Sequence, residues 1–250
     1  MLSGIITVGN EILDGYVQDA NSCWLARRLT DLGIDVKRIC IVGDDIDEIK
    51  SALSFYLDAD ISMIFVCGGM GPTPDDKTVE GISNFFNMSL IKSEEITRQI
   101  ETKLSYLQGR KVELPERMMK MTYVPEGCKI IKNDVGLAPG SLIEIDYKKI
   151  FLLPGVPNEL EYVFDNEIET KIAKFGEKKQ SEEICVKSEE SVFSNLIKML
   201  NEKYPGLTIG IYPHYGEMRL LIRLIGKEDD VKEASEIIKG EIKKLNLEML

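Results

Sequence analysis

The chain carries one histidine and one tryptophan in 250 residues, and its five cysteines are scattered. Cys23, Cys40, Cys67, Cys128 and Cys185 are odd in number and never form a CxxC pair, which excludes a zinc knuckle and a disulfide framework. They read as small buried hydrophobes in a reducing cytoplasm. No serine, cysteine or histidine stands beside a partner that would mark it as a nucleophile, and His214, in "YPHYG", reads as structural. No apolar stretch approaches the roughly 20 residues of a membrane helix. "MLSGIITVGNEIL" lacks the basic start and small-residue cleavage site of a secretory signal, so the expectation is a soluble cytoplasmic protein without a membrane partner. A basic patch is missing too: 42 acidic against 31 basic residues give a net charge of −11, which argues against a nucleic-acid partner.

What is present is ordinary globular composition, 44% apolar and 29% charged, in a length that suits two domains. The first part alternates short apolar runs with helical patterns, the signature of βαβ units and a mostly parallel sheet. "SGIITVG", "DVKRICIVGD" and "ISMIFVCGG" read as strands, and "ANSCWLARRLTDLG" and "DIDEIKSALSFYLDA" as helices. "PDDKTVEGISNFF", "EEITRQIETKLSYL" and "ELPERMMKMTYV" carry further helical patterning, with Met118, Met119 and Met121 as core filling. Then come a strand in "CKIIKND", a hairpin in "GSLIEIDYKKIFLLPG" and a helix from Pro157 to about Lys174. Residues 175–180, "FGEKKQ", read as a linker between domains at 1–174 and 181–250, and the second domain follows a β-α-β-β-α order.

In an open parallel sheet, ligands bind beyond the carboxyl ends of the strands. That rule brings together "GNEILDG", "GDDID" and "GGMGPTPDDKT", and with them Glu11, Asp44, Asp45, Asp75 and Asp76. Clustered carboxylates repel one another unless a hard divalent cation such as Mg²⁺ takes oxygen ligands among them. Gly68, Gly69 and Gly71 remove the side chains that would block a phosphate from backbone N–H groups. The loop is neither a P-loop nor a GxGxxG fingerprint, because the GK[ST] ending is absent and the glycine spacing differs. A purely structural reading stands beside this one: Thr73 as an N-cap, Pro74 at the first helical position, and Asp75 or Asp76 in the first turn. Capping leaves the Gly-Gly-x-Gly approach unexplained. "NDVGLAPGS" and "LLPGVPNEL" add two turns at strand edges, each weak alone.

Taken together, "GNEIL.G...D.N", "GGMGPTPDDKT", "N..G.APG" and "LPGVPNE" resemble the N-terminal module of CinA-type proteins, within the molybdenum-cofactor-biosynthesis (MoCF, MoaB/Mog-like) family. The resemblance covers residues 1 to about 170, and residues 181–250 resemble the KH-like unit that follows that module. It implies a three-layer α/β/α fold, plus a small α+β domain, binding a phosphorylated ligand: ADP-ribose or a related nucleotide, or alternatively molybdopterin. It implies Asp44, Asp75 and Asp76 as catalytic carboxylates, with Asp44 and Asp76 holding Mg²⁺ or another divalent ion. Ligand-binding positions fall on Gly9, Asn10, Glu11, Asp19 and Asn21, on Gly68, Gly69, Gly71, Pro72, Thr73 and Thr78, on Asn133, Gly136, Pro139, Gly140 and Ser141, and on Pro154, Gly155, Pro157 and Glu159.

The chain departs from the pattern at Met70, where that branch has Leu or Thr. It ends at Leu250, before the amidohydrolase domain of longer CinA proteins, so nicotinamide-nucleotide deamidation is not implied. The expected activity is metal-dependent hydrolysis of a nucleotide diphosphate, with molybdopterin binding or adenylylation as the alternative. The KH-like unit holds more acidic than basic residues and no GxxG loop, which argues against nucleic acid and for a role in oligomer formation, dimer or trimer, or in closing a pocket.

Overall fold

The computed structural model describes residues 1–177, 179–214, 216 and 219–250. It divides into two units, Met1–Gly176 and Glu177–Leu250. Lys178, inside the segment read as a linker, lies outside the described residues. Ala173–Phe175 is a 3-10 turn whose Phe175 packs against the first unit's core.

Strand β1 (Leu2–Val8) leads through a short helix α1 (Asn10–Leu13) into helix α2 (Ala20–Asp31). The Asp19 carboxylate caps α2 by accepting from Ser22 N at 3.0 Å, which fixes where that helix begins. Strand β2 (Asp35–Val42), helix α3 (Ile46–Asp58) and strand β3 (Met63–Cys67) complete the expected βαβ pattern. Every residue of β3 is buried, as an interior parallel strand covered on both faces requires.

Helix α4 starts only at Thr78 and runs to Phe85. The structural reading of the Gly-rich loop is therefore corrected: Lys77 holds the N-cap position without a side-chain cap, and Thr73 through Asp76 lie outside the helix. Beyond it, strand β4 (Leu90–Lys92), helix α5 (Glu94–Gln108) and strand β5 (Tyr123–Pro125) follow, with β4 and β5 forming a small antiparallel pair. Glu116–Thr122, expected as an α-helix, is 3-10 instead. Strand β6 (Lys129–Ile131) and the hairpin β7 (Gly140–Ile145) and β8 (Lys148–Leu153) return to the main sheet. Helix α6 (Pro157–Val163) then passes through a π-helical turn, Phe164–Ile168, into α7 (Glu169–Ile172).

The main sheet has the order β2-β1-β3-β8-β7-β6, parallel across its first four strands and antiparallel at β7 and β6. One face buries Leu25, Leu29, Val163 and Phe164, and the other buries Ile49, Leu53, Tyr56 and Ile82. Helices thus cover both faces, giving the three-layer α/β/α arrangement. Chain order reverses at β1, whose successors β2 and β3 lie on opposite sides of it, so a crevice opens beyond the carboxyl ends of β1 and β3.

The second unit contains β9 (Gln180–Lys187), α8 (Ser194–Lys203), β10 (Thr208–His214), β11 (Arg219–Gly226) and α9 (Glu228–Lys244). Its antiparallel sheet has the order β10-β11-β9, and β11 buries Leu220, Ile222 and Leu224 on one face in strict alternation. Among the described residues no helix is long and apolar enough to cross a membrane.

Candidate functional site

A cavity of about 600 Å³ lies at the predicted crevice. Of the positions named from sequence, Gly9, Glu11, Asn21, Asp44, Gly68, Gly69, Gly71, Pro72, Asp75, Asp76, Pro154, Gly155, Pro157 and Glu159 line it. Pro139 and Ser141 instead line a second cavity of about 280 Å³ across the Gly-rich loop. Asn10, Asp19, Thr73, Thr78, Asn133, Gly136 and Gly140 line neither, and most of these hold the loops in place.

The Gly-rich loop is shaped by its backbone. Gly68 has φ 93° and Gly69 φ 61°, in the left-handed region that penalises any Cβ. A Cβ on Gly68 would lie 2.2 Å from Val8 O, and one on Gly69 would lie 2.3 Å from Thr78 Oγ1. The ladder continues into this loop, since Gly68 N donates to Leu153 O at 3.2 Å. Thr78, at the start of α4, reaches back from both its groups: its hydroxyl donates to Gly68 O at 2.7 Å and its N–H to Gly69 O at 3.0 Å. Asp76 ties the far side, its Oδ2 accepting from Thr73 N at 2.8 Å and from the Thr73 hydroxyl.

Asp44 arrives from the end of β2. Its Oδ2 accepts from Asn10 N at 2.9 Å, and Asp44 N donates to Asn10 Oδ1 at 3.3 Å, so the loops after β1 and β2 are joined reciprocally. Burial pushes the Asp44 carboxyl above the usual carboxylate range, the Asn10 N–H pulls it back, and Glu11, Asp76 and Asp75 push it up again. Asn21 lines the same cavity; its Nδ2 donates to Gly155 O at 2.7 Å, and its Oδ1 is buried without a partner.

Two lysines that no motif indicated complete the frame. Lys120, in the 3-10 segment, donates to Thr73 O at 2.6 Å and to Asp76 O. Lys103, on α5, donates to Asn133 O and Gly136 O. Burial lowers both ammonium groups, with Asp76 opposing the shift at Lys120 and Asp134 and Glu159 opposing it at Lys103. Thr7 and Cys67 also line the large cavity, and the strand-end rule applied to β1 and β3 would have found them. Met121 is 8% exposed, so it fills a core as the sequence implied, yet it faces both cavities; Met118 lines the larger one, and Met119, also read as core filling, is exposed instead.

Among the described residues no three His, Cys, Asp or Glu side chains form a ready metal cluster. The donor set still fits a hard cation, because Mg²⁺ is usually held by one or two carboxylates with ligand phosphate and water completing the shell. Asp44 and Asp76 line the cavity beside Gly68, Gly69 and Gly71 and would provide such a pair.

A mostly parallel sheet in a three-layer α/β/α fold, with a glycine-lined, carboxylate-bearing crevice at its switch point, belongs to the doubly wound α/β class, in which ligands bind at that crevice. Residues 4–174 match the family model described as a probable molybdopterin binding domain, and the chain belongs to that family. It is 34% identical over 244 residues to a putative competence-damage inducible protein of Caldicellulosiruptor bescii, a match that covers 96% of this chain and 56% of that protein. A protein of Pyrococcus furiosus is 34% identical over 247 residues and is covered to 96%, as this chain is. The crystal structure of CinA from Thermoplasma acidophilum superposes with a TM-score of 0.62 at 37% identity, over 68% of this chain and 97% of that one. The resemblance to CinA-type proteins is thus confirmed.

Proposed function

We propose that the first unit is a divalent-metal-dependent nucleotide pyrophosphatase acting on ADP-ribose or a related nucleotide diphosphate. The observation that carries this reading is the adjacency, in one cavity, of the glycine cradle at Gly68–Gly71 and the carboxylates Asp44, Asp75 and Asp76. The glycine backbone receives the diphosphate, and Asp44 and Asp76 are the residues that would hold a divalent ion. When bound, such an ion neutralises phosphate charge and lowers the pKa of a coordinated water. Thr73 fixes Asp76 in place through two hydrogen bonds to one oxygen, which leaves the other oxygen for the site. A carboxylate of the cluster takes the proton from the attacking water as one phosphoanhydride P–O bond breaks, giving AMP and a sugar phosphate from ADP-ribose.

Hydrolysis of ADP-ribose, FAD and NADH by the purified protein with Mg²⁺, Mn²⁺ or Co²⁺ tests the proposal. Metal-dependent AMP release, abolished in both Asp44→Asn and Asp76→Asn, supports it; no release from any substrate sinks it. A second reading, molybdopterin binding or adenylylation, is favoured by the family match itself, and titration with molybdopterin is its test.

A further inference from the structure

Behind the Gly-rich loop, the second cavity has walls of Met70, Val79, Leu90, Met121, Tyr123 and Val124. It shares Gly69, Met70, Gly71, Asp76 and Met121 with the large cavity, so the two spaces adjoin at the same few residues. Their chemistry differs sharply. Both present Asp76, but the large one adds four more carboxylates, Glu11, Asp44, Asp75 and Glu159, whereas the small one adds only Glu80 to walls that are otherwise mostly apolar.

We propose that this smaller cavity is a subsite for a planar heteroaromatic ring, the base of the nucleotide whose diphosphate lies against Gly68–Gly71. The inference rests on the nucleotide reading above and assigns the place in the fold where the base of that nucleotide is held. Its 280 Å³ falls just below the roughly 300–1,000 Å³ of whole-ligand pockets, which suits one ring system better than an entire dinucleotide. A phosphate would find a single cation there, Lys120, whose ammonium is already committed to Thr73 O and Asp76 O. A sugar would leave its hydroxyls against apolar walls. A ring, in contrast, gains sulfur contacts from Met70 and Met121 and a half-exposed aromatic neighbour in Tyr123. Ser141, 2% exposed at the β7 end of the cavity, and Glu80 supply polar groups for ring nitrogens or an exocyclic amine.

The test is calorimetric titration with Mg²⁺ and three probes, inorganic pyrophosphate, ADP and ADP-ribose, the two nucleotides as their non-hydrolysable α,β-methylene analogues, against the parent protein, Leu90→Trp and Tyr123→Ala. Both substituted side chains are more than a third exposed, so the fold tolerates the changes. The expected result is that the parent binds ADP about tenfold more tightly than pyrophosphate, and that both variants lose about tenfold for ADP and ADP-ribose, the scale of base stacking. Pyrophosphate binding should remain unchanged. Variants that bind ADP as the parent does would place the ring elsewhere and overturn the subsite while leaving the phosphate site intact. Equal weakening for pyrophosphate and ADP would show damage to the loop and also overturn it. No binding of pyrophosphate, ADP or ADP-ribose by the parent would remove the nucleotide reading and the subsite with it.

Discussion

Asn133 Nδ2 donates to Glu159 Oε2 at 2.7 Å, joining two turns that lie 26 residues apart in the chain. The same amide group donates to Ala138 O at 2.8 Å, while Asn133 Oδ1 accepts from Gly136 N at 2.8 Å and Val135 N at 3.2 Å. A Cβ on Gly136 would lie 1.8 Å from the Glu159 carboxyl, so any larger residue there would have to move that side chain away from its hydrogen bond to Asn133. Asn133 is 3% exposed, so Asn133→Ala strands several buried groups and should cost about 2 to 3 kcal/mol, read by urea denaturation. Glu159→Gln keeps an acceptor for Asn133 and should cost less than about 1 kcal/mol.

Gly68→Ala combines a left-handed φ with a 2.2 Å approach to the Val8 carbonyl oxygen. Backbone on both sides cannot give way cheaply. The expected loss is on the order of 3 kcal/mol, a fall in Tm of about 5 to 10 °C in a thermal melt. An unchanged melt would mean that Gly68 neither adopts the left-handed conformation nor packs against the Val8 carbonyl in solution.

Glu144 accepts from both Lys129 and Lys149, and those two ammonium groups hold its carboxyl down to about 2 from the ordinary 4.5. A depressed carboxyl stabilises the fold above its unfolded value and loses that contribution as pH falls from about 4.5 toward about 2. Because Glu144 is one-third exposed, screening reduces the contribution to about 1 kcal/mol. Glu144→Gln should therefore lower stability at pH 7 by about that amount and flatten the acid limb of a stability against pH curve.

The five thiols should separate cleanly toward an aromatic disulfide reagent at pH 8. Only Cys67 of the five is buried as the sequence suggested; Cys40, Cys128 and Cys185 are partly buried, and Cys23 is exposed and should react first. Cys67 is fully buried, 3.4 Å from Thr7 Oγ1, and burial pushes its thiol up to about 12. It should react only after denaturant is added, whereas a fast phase that includes Cys67 would mean that the β1 and β3 ends open readily.

The sequence by itself determined the layering and the place of the site. Alternating apolar runs and helical patterns dictate a parallel sheet, and a parallel sheet collects its loops at the carboxyl ends of its strands, so Glu11, Asp44, Asp75 and Asp76 meet there, whereas Asp45, expected with them, instead caps α3 by accepting from Asp47 N and Glu48 N. Local pattern was less decisive at 73–77 and 116–122. Thr73 and Pro74 suit a helix start, yet the chain turns on the Thr73 to Asp76 hydrogen bonds and defers the helix to Thr78. Only tertiary structure decided the rest: Lys103 and Lys120 carry no motif, and their ammonium groups clamp loops distant in sequence. Met118 and Met121 likewise read as core filling from sequence and become walls of cavities. Periodicity records which side of an element is buried, whereas a cavity arises from what several elements leave unfilled between them.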